Sequence, residues 1–171
     1  MEEMCKKAVS VLLSLVLMFS FIPVTALAAE VDNTVISQKS CTADPAWEGV
    51  HEYVFTVVDL VNEERAKENL TPVTLNRAAT TAAQVRAEEA KCCWSHTRPD
   101  GSRCFTALAE AGVKYQAAGE NLAGRISTPE KVVQAWMNSP GHRKNIMNPK
   151  YTQIGVGYVA DGNYWGEFFV A

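Results

Sequence analysis

The sequence predicts an α+β domain in which helices bracket a small antiparallel sheet to form a three-layer α-β-α sandwich. Two observations predict this class. Apolar residues recur at helical spacing through most of the chain, and capping residues precede several of these segments. Near the carboxyl terminus, two runs of alternating apolar residues flank a tight turn, which is typical of a β-hairpin. Helices therefore come mostly first and strands mostly last.

Residues 1–28 have the order of a secretory signal peptide. The basic residues 6–7 precede an apolar run over residues 9–22, and the small residues 26–28 suit a cleavage site. Translation from Met4 instead of Met1 would shorten the segment before the basic pair, so both starts stay open. An uncleaved membrane anchor is the alternative, and it is disfavoured because the apolar run is short for a span.

Composition and charge limit the function classes. The chain has 171 residues and a net charge of −3, without a basic run that would attract nucleic acid. After removal of the leader, residues 29–46 read as a polar arm and residues 47–171 as one folded domain. We expect a secreted, extracellular monomer without a transmembrane anchor.

Four cysteines follow the leader: Cys41, Cys92, Cys93 and Cys104. Secretion permits disulfides, and four cysteines allow three complete pairings. Adjacent Cys92 and Cys93 would bridge each other only with strain, so pairing outward to Cys104 or Cys41 is favoured. Free thiols are the alternative in a cell that lives without oxygen.

The amino-terminal half predicts two long helices. Asp44, followed by proline, suits a helix start, and apolar spacing indicates a helix over residues 47–68. Asn69 can end this helix in the left-handed conformation. Asn76 caps an alanine-rich helix that runs to about Lys91.

The middle of the chain is less regular. A short helix is predicted over residues 102–111, with Phe105, Leu108 and Ala109 facing inward and Gly112 ending it. Residues 113–118 form a candidate strand. Residues 119–126 are expected to be irregular.

The carboxyl-terminal part predicts a helix, a corner and a hairpin. Pro129 suits the first turn of a helix whose buried stripe includes Trp136. Pro140 is expected to stop the helix before it, and Gly141 to place His142 at a sharp corner. Residues 154–158 and 164–170 are expected to form strands that meet at the turn Asp161-Gly162-Asn163.

Two of the three histidines and one glutamate are candidates for chemistry. His51 resembles half of a zinc-protease motif, but Phe55 occupies the second ligand position, so His51 is interpreted as a surface residue. His96 and His142 lie beside turn residues instead of on apolar stripes. With Glu120 they supply the ligand types of an open zinc site, and equally the parts of an acid–base pair.

Four motifs occur in a fixed order along the chain. They are Ser95-His96-Thr97, Gly119-Glu120-Asn121-Leu122, Trp136 to Ile146 with Asn-Ser-Pro-Gly-His-Arg at its centre, and Ile154-Gly155-Val156-Gly157-Tyr158. The ordered set resembles the CAP superfamily, also called SCP/TAPS (cysteine-rich secretory protein, antigen 5, pathogenesis-related 1), in its bacterial secreted form. The resemblance implies an α-β-α sandwich, in agreement with the pattern above.

The resemblance also implies a central cavity, which in this family typically holds two histidines and two glutamates. His96, Glu120 and His142 match three of these positions. The fourth position follows Trp136, where this sequence has no acid and only the polar residues Asn138 and Ser139 nearby. The incomplete set implies weak binding of zinc or another divalent cation.

The favoured hypothesis is a secreted binding module without covalent chemistry. Its ligand would be a lipid, a cell-wall fragment or an extracellular protein. Its cleft would be formed by His96, Glu120, Asn121, Asn138, Ser139, His142 and Asn145.

Two alternatives stay open. A peptidase-like hydrolase would need a nucleophile, for which Ser95, Ser139, Cys93 and Cys104 are the candidates. Turn or helix-end hydrogen bonds are the more common role for such serines. In the second alternative, His96, Glu120 and His142 only connect loops within a structural module.

Overall fold

The computed structural model describes residues 44–171. The predicted signal peptide, Cys41 and most of the predicted arm lie outside the described residues. The elements in chain order are a 3-10 turn at Pro45–Trp47, α1 (Tyr53–Lys67), β1 (Thr74–Leu75), α2 (Arg77–Cys92), α3 (Thr106–Glu110), β2 (Ala118–Ala123), α4 (Pro129–Asn138), α5 (Pro140–Ile146), β3 (Gln153–Val159) and β4 (Tyr164–Val170). Within residues 44–171, no helix is long and apolar enough to cross a bilayer.

The sheet has four strands in the order β1-β3-β4-β2. β3 pairs antiparallel with β4, and β4 pairs antiparallel with β2, as expected for the predicted sheet. The short β1 adds a parallel edge to β3, so the sheet is mixed and not purely antiparallel. The parallel edge arises because the chain crosses from β1 to β3 through the helices instead of through a tight turn.

Two hydrophobic clusters lie on opposite faces of the sheet, which confirms the predicted three-layer sandwich. On one face, α1 and α4 pack on the sheet around Trp136, Trp165 and Phe169. On the other face, α2 and α3 pack around Leu108 and Phe168. Consecutive residues of β4 alternate between the two clusters because strand side chains point to opposite faces.

The capping residues that the sequence indicated form the predicted hydrogen bonds. The Asn76 Oδ1 atom accepts from the Ala79 N–H at 2.9 Å at the start of α2. Asn69 ends the first helical segment at φ 57°, as predicted. The helix itself begins only at Tyr53, later than predicted, because Gly49 at φ 77° separates it from the Pro45–Trp47 turn.

The predicted strand at residues 113–118 was wrong, and the predicted irregular segment at 119–126 is irregular only over residues 124–126. The strand β2 runs from Ala118 to Ala123 and contains Glu120 and Asn121. Their polar side chains concealed the strand in the sequence, although Glu120 lies opposite Phe168 on the neighbouring strand. Backbone pairing with β4 places both polar residues in the interior.

Pro140 begins a helix and does not form a corner. It occupies the first turn of α5, where its missing N–H costs no hydrogen bond, and His142 lies on that helix. The buried Arg65 of α1 fixes the far end of α5, since its Nη1 donates to the Ile146 carbonyl at 2.6 Å and to the Asn148 carbonyl at 3.1 Å. This contact holds α5 against the rest of the domain.

The short helix α3 covers only Thr106–Glu110. Leu108 is buried as predicted, whereas Ala109 is exposed and Ala107 takes the inward position instead. Gly112 follows at φ 77°, in agreement with its predicted role at the helix end.

Candidate functional site

The shortest contact among the predicted site residues joins His96 to Glu120. The His96 Nδ1 atom lies 2.5 Å from Glu120 Oε2. Glu120 comes from the edge strand β2, and its side chain is 2% exposed, whereas the His96 side chain is 61% exposed. The imidazole is therefore anchored at one nitrogen and open to solvent elsewhere.

A buried arginine holds the other side of the same carboxylate. The Arg86 Nε atom of α2 donates to Glu120 Oε1 at 2.7 Å, and its Nη2 donates to the Ser95 carbonyl at 2.6 Å. Both Glu120 oxygens are thus engaged, one by a guanidinium and one by an imidazole. The second contact of Arg86 fixes the backbone just before His96, so one side chain positions the carboxylate and the loop together.

The charge network continues away from the histidines. Glu89 accepts from Arg86 and also from Arg98, whose Nη2 lies 2.8 Å from Glu89 Oε1. Arg98 in turn pairs with Glu110 at 2.6 Å, and it is 8% exposed. Arg98 therefore ties the His96 loop to α2 and α3 and is not a solvated arginine.

The environments of the two histidines push their pKa values apart. The hydrogen bond to Glu120 raises the pKa of His96, against the opposing effect of burial. Burial lowers the pKa of His142, and the nearby charge of His96 lowers it further. Relative to a free histidine, this arrangement favours the charged imidazolium at His96 and the neutral imidazole at His142.

Two asparagines connect the histidine helix to β2. The Asn145 Nδ2 atom donates to the Glu120 carbonyl at 3.1 Å and to Asn121 Oδ1 at 2.8 Å. Asn121 Nδ2 donates to the His142 carbonyl at 3.3 Å and to Glu167 Oε2 at 2.8 Å. We call the group of five predicted residues joined in this way the polar cluster: His96, Glu120, Asn121, His142 and Asn145.

Asn138 and Ser139 have different surroundings. Asn138 is exposed at the end of α4 and lines a pocket with Arg143 and Met147. Ser139 links α4 to α5, where its N–H donates to the Trp136 carbonyl at 3.1 Å. Within residues 44–171, neither side chain forms a hydrogen bond with the polar cluster.

The donor set does not fit the divalent cation that the sequence suggested. Both oxygens of Glu120 are already engaged, one by Arg86 and one by His96. Among the described residues, no group of three or more His, Cys, Asp and Glu side chains is arranged to hold a metal ion. A tetrahedral zinc site needs three or four such donors.

The candidate nucleophiles have other partners or are protonated. Ser95 Oγ accepts from the Thr97 N–H at 3.0 Å, which is a turn contact. Burial and the negative charge of Glu120 raise the pKa of the Cys104 thiol to about 12. Cys92, Cys93 and Cys104 are all free thiols, so the expected disulfides among these three do not form.

Three residues that surround the polar cluster were not predicted from the sequence, namely Arg86, Glu89 and Glu167. Arg86 lies on the buried stripe of α2, between alanines at positions 83 and 90, and this spacing was a usable signal. Burial raises the pKa of Glu167 to about 8, and its Oε1 atom has no hydrogen-bond partner in the described structure. The sequence signal for Glu167 was a single acidic residue within an otherwise apolar strand.

The fold and the polar cluster together define a class of protein: an α-β-α sandwich with two histidines and a glutamate presented by a loop, a strand and a helix. A comparison with known protein families identifies the family within this class. Residues 58–171 match the CAP model, described as the cysteine-rich secretory protein family, and the chain belongs to this family.

Relatives and solved structures agree. The chain is 40% identical over 136 residues to the uncharacterized protein YkwD of Bacillus subtilis, covering 78% of this chain and 53% of that protein. It is 32% identical over 116 residues to the uncharacterized membrane protein YlbC of the same organism, covering 67% of this chain and 33% of that protein. The chain thus spans about half of YkwD and a third of YlbC.

Two solved structures have the same fold. An extracellular protein containing an SCP domain from Bacillus anthracis superposes with a TM-score of 0.66 at 29% identity, over 69% of this chain and 40% of that one. An outer surface protein from Borrelia burgdorferi gives 0.62 at 22% identity, over 68% of this chain and 90% of that one.

Proposed function

We propose that the protein is a secreted CAP-domain protein that binds a polar cell-wall fragment at the polar cluster without covalent chemistry. One observation carries this proposal. Glu120 is neutralised by Arg86 and His96, so it serves as an internal counterion and not as a free base. The His96 side chain stays 61% exposed, and its raised pKa favours the charged form, which donates from both ring nitrogens.

The chemistry of the cluster favours wall material over lipid. Its accessible groups are the two imidazoles, which suit carboxylates, amide carbonyls and hydroxyls of peptides and sugars. A lipid chain would need apolar walls, which these residues do not supply. The extracellular description of the Bacillus anthracis relative supports an extracellular location for this chain.

A hydrolase is the second candidate, since two histidines with opposite pKa shifts are the usual parts of an acid–base pair. It lacks an activated nucleophile, because Ser95 is in a turn contact and Cys104 is a buried thiol. A water molecule would have to be the attacking group. A purely structural role is the third candidate, in which His96 only completes the Arg86–Glu120 network.

The test compares the purified protein with single variants in titration calorimetry against soluble muropeptides. We expect His96→Ala and His142→Ala to weaken binding about tenfold or more, which is the usual effect of losing a charge-assisted hydrogen bond. His51→Ala is the matched control, because His51 is exposed and packs beside Tyr158 away from the cluster. Muropeptide affinity unchanged in both cluster variants would contradict the proposal.

Three further readouts separate the candidates. Chromatography of the muropeptides after incubation would reveal cleavage, and its loss in His142→Ala would favour the hydrolase. Binding to phosphatidylglycerol vesicles in place of muropeptides would favour the lipid hypothesis. A lower melting temperature with unchanged affinity would favour the structural role.

A further inference from the structure

A second pocket lies apart from the residues of the polar cluster. It has a volume of about 330 Å³ and is formed by the end of α2, the loop after α2, the loop after β2 and the start of β4. None of the polar cluster residues lines it. Its volume is at the lower end of the range typical of small-ligand sites and would hold one or two sugar rings.

Two aromatic rings form one wall of this pocket. Trp94 is 61% exposed, the most exposed of the large hydrophobic side chains in the described part of the chain. Its ring centroid lies 6.2 Å from that of Tyr164, with the planes inclined by 56°. Burial of indole is strongly favourable, so a tryptophan left this open presents a face that a ligand can cover.

A glycine allows the two rings to meet. A β-carbon at Gly124 would lie 3.0 Å from Tyr164 Cδ1 and 3.1 Å from Trp94 Cζ3. Either distance is tighter than ordinary van der Waals contact, so a larger residue would push the rings apart. The aromatic wall therefore depends on the backbone that follows β2.

A cation is held at the rim in an unusual backbone conformation. Arg125 has φ 62°, in the left-handed region that an arginine rarely adopts, and its N–H donates to the Gly162 carbonyl at 3.1 Å. No carboxylate in residues 44–171 forms an ion pair with its exposed side chain. Lys91, the second cation of the pocket, is already 2.9 Å from Asp161 and 3.8 Å from Glu88.

We propose that this pocket binds an anionic saccharide, with a sugar ring on Trp94 and Tyr164 and its acidic group on Arg125. The C–H face of a sugar packs on aromatic rings, and the planar guanidinium pairs with a carboxylate through two parallel hydrogen bonds. A neutral sugar would leave Arg125 unpaired, and a simple anion would leave the rings uncovered. The site is independent of the ligand proposed for the polar cluster.

The experiment titrates the purified protein with trigalacturonic acid and with its fully methyl-esterified form, which has the same rings without charge. We expect saturable binding of the acid and binding of the ester at least about tenfold weaker. Arg125→Gln should reduce the acid to the affinity of the ester, and Trp94→Ala should abolish both. Arg103→Gln is the matched control, an exposed arginine that lies outside this pocket.

Equal affinity for acid and ester would overturn the proposal, and so would unchanged binding in Arg125→Gln or no binding of the acid at millimolar concentration. His142→Ala must retain the affinity for trigalacturonic acid, because the pocket does not include the polar cluster. If His142→Ala lost binding of both the muropeptides and trigalacturonic acid, the two ligands would share one site, and the proposal of a separate pocket would be contradicted. Arg125→Gln changes only an exposed side chain, so it remains informative even if Trp94→Ala folds poorly.

Discussion

Gly155 of β3 and Ala79 of α2 approach so closely that a β-carbon on Gly155 would lie 2.1 Å from the Ala79 carbonyl carbon. The same relationship repeats two residues further along, where a β-carbon on Gly157 would lie 2.4 Å from the Ala83 carbonyl carbon. Glycine on the strand and alanine on the helix let α2 rest directly on the sheet. This contact sets the height of Arg86 above β2 and thereby its reach to Glu120.

Alanine at position 155 should therefore destabilise the domain. We expect Gly155→Ala to lower the free energy of unfolding by about 3 kcal/mol, since backbone atoms would have to move to admit the methyl group. Gly141→Ala is the matched control, because a β-carbon there meets no atom within 4 Å and the residue is helical. The control should be neutral or stabilise by about 0.5–1 kcal/mol. Urea unfolding measures both, and equal stability of the two variants would contradict the close packing.

Removing Arg86 should cost more than removing a surface cation. Arg86→Met leaves the Glu120 carboxylate buried without its cation, for which about 3–5 kcal/mol of lost stability is typical. Lys67→Met removes an exposed ion pair with Glu64 and should cost less than about 1 kcal/mol. The double variant Arg86→Met/Glu120→Leu should recover part of the loss. A single Arg86→Met variant as stable as Lys67→Met would contradict this role of the network.

The pKa values of the two histidines should lie on opposite sides of the pKa of a free histidine. Proton NMR should give a pKa above 6.5 for His96 and below 6.5 for His142. The stabilising effect of His96 is fully present below its unfolded pKa and is lost as the pH rises through the raised folded pKa. The stabilising effect of His142 is present above its unfolded pKa and is lost as the pH falls through its lowered folded pKa.

Glu120→Gln is the matching variant for this titration. It should bring the pKa of His96 down toward its ordinary value, because the hydrogen bond to Glu120 is the main reason why that pKa is raised. A pKa of His96 that does not respond to this variant would mean that the contact does not exist in solution.

Glu167 should make the protein less stable as the pH rises. Its folded pKa of about 8 lies above the ordinary value of 4.5, so the folded state holds a proton that the unfolded chain releases. Between these values the free energy of unfolding should fall by up to about 1.4 kcal/mol per pH unit. Glu167→Gln keeps an oxygen that accepts from Asn121 and should remove this slope in thermal unfolding from pH 5 to 8. If the dependence of stability on pH were unchanged in this variant, groups other than Glu167 would be its cause.

The three described cysteines should differ in their reaction with iodoacetamide under native, non-reducing conditions. Cys92 is exposed and Cys93 is half-buried, so both should be alkylated. Cys104 should react only after unfolding, because it is buried and its pKa is raised to about 12. Mass spectrometry of tryptic peptides measures each site. Protection of Cys92 and Cys93 in the oxidised protein, relieved by reduction, would indicate a disulfide instead.

Elements governed by neighbouring residues were predictable. The Asn76 cap, the left-handed Asn69 and the carboxyl-terminal hairpin depend on contacts within a few residues, and the structure contains each of them. The strand β2 was not predictable in this way. Its sequence Ala-Gly-Glu-Asn-Leu-Ala resembles a loop, and it is a strand because β4 supplies its hydrogen-bond partners.

By itself, the sequence determined the layered α+β class, the starts of α2 and α4, and the residue types of the candidate site, His96, Glu120 and His142. Only the tertiary structure decided which groups meet: that Arg86 neutralises Glu120, that His142 lies on a helix, and that Trp94 and Tyr164 share a pocket with Arg125. The physical reason is the separation along the chain of the residues that interact. Caps and turns are satisfied within a few residues, whereas a buried charge must be paired by whatever residue the fold brings next to it.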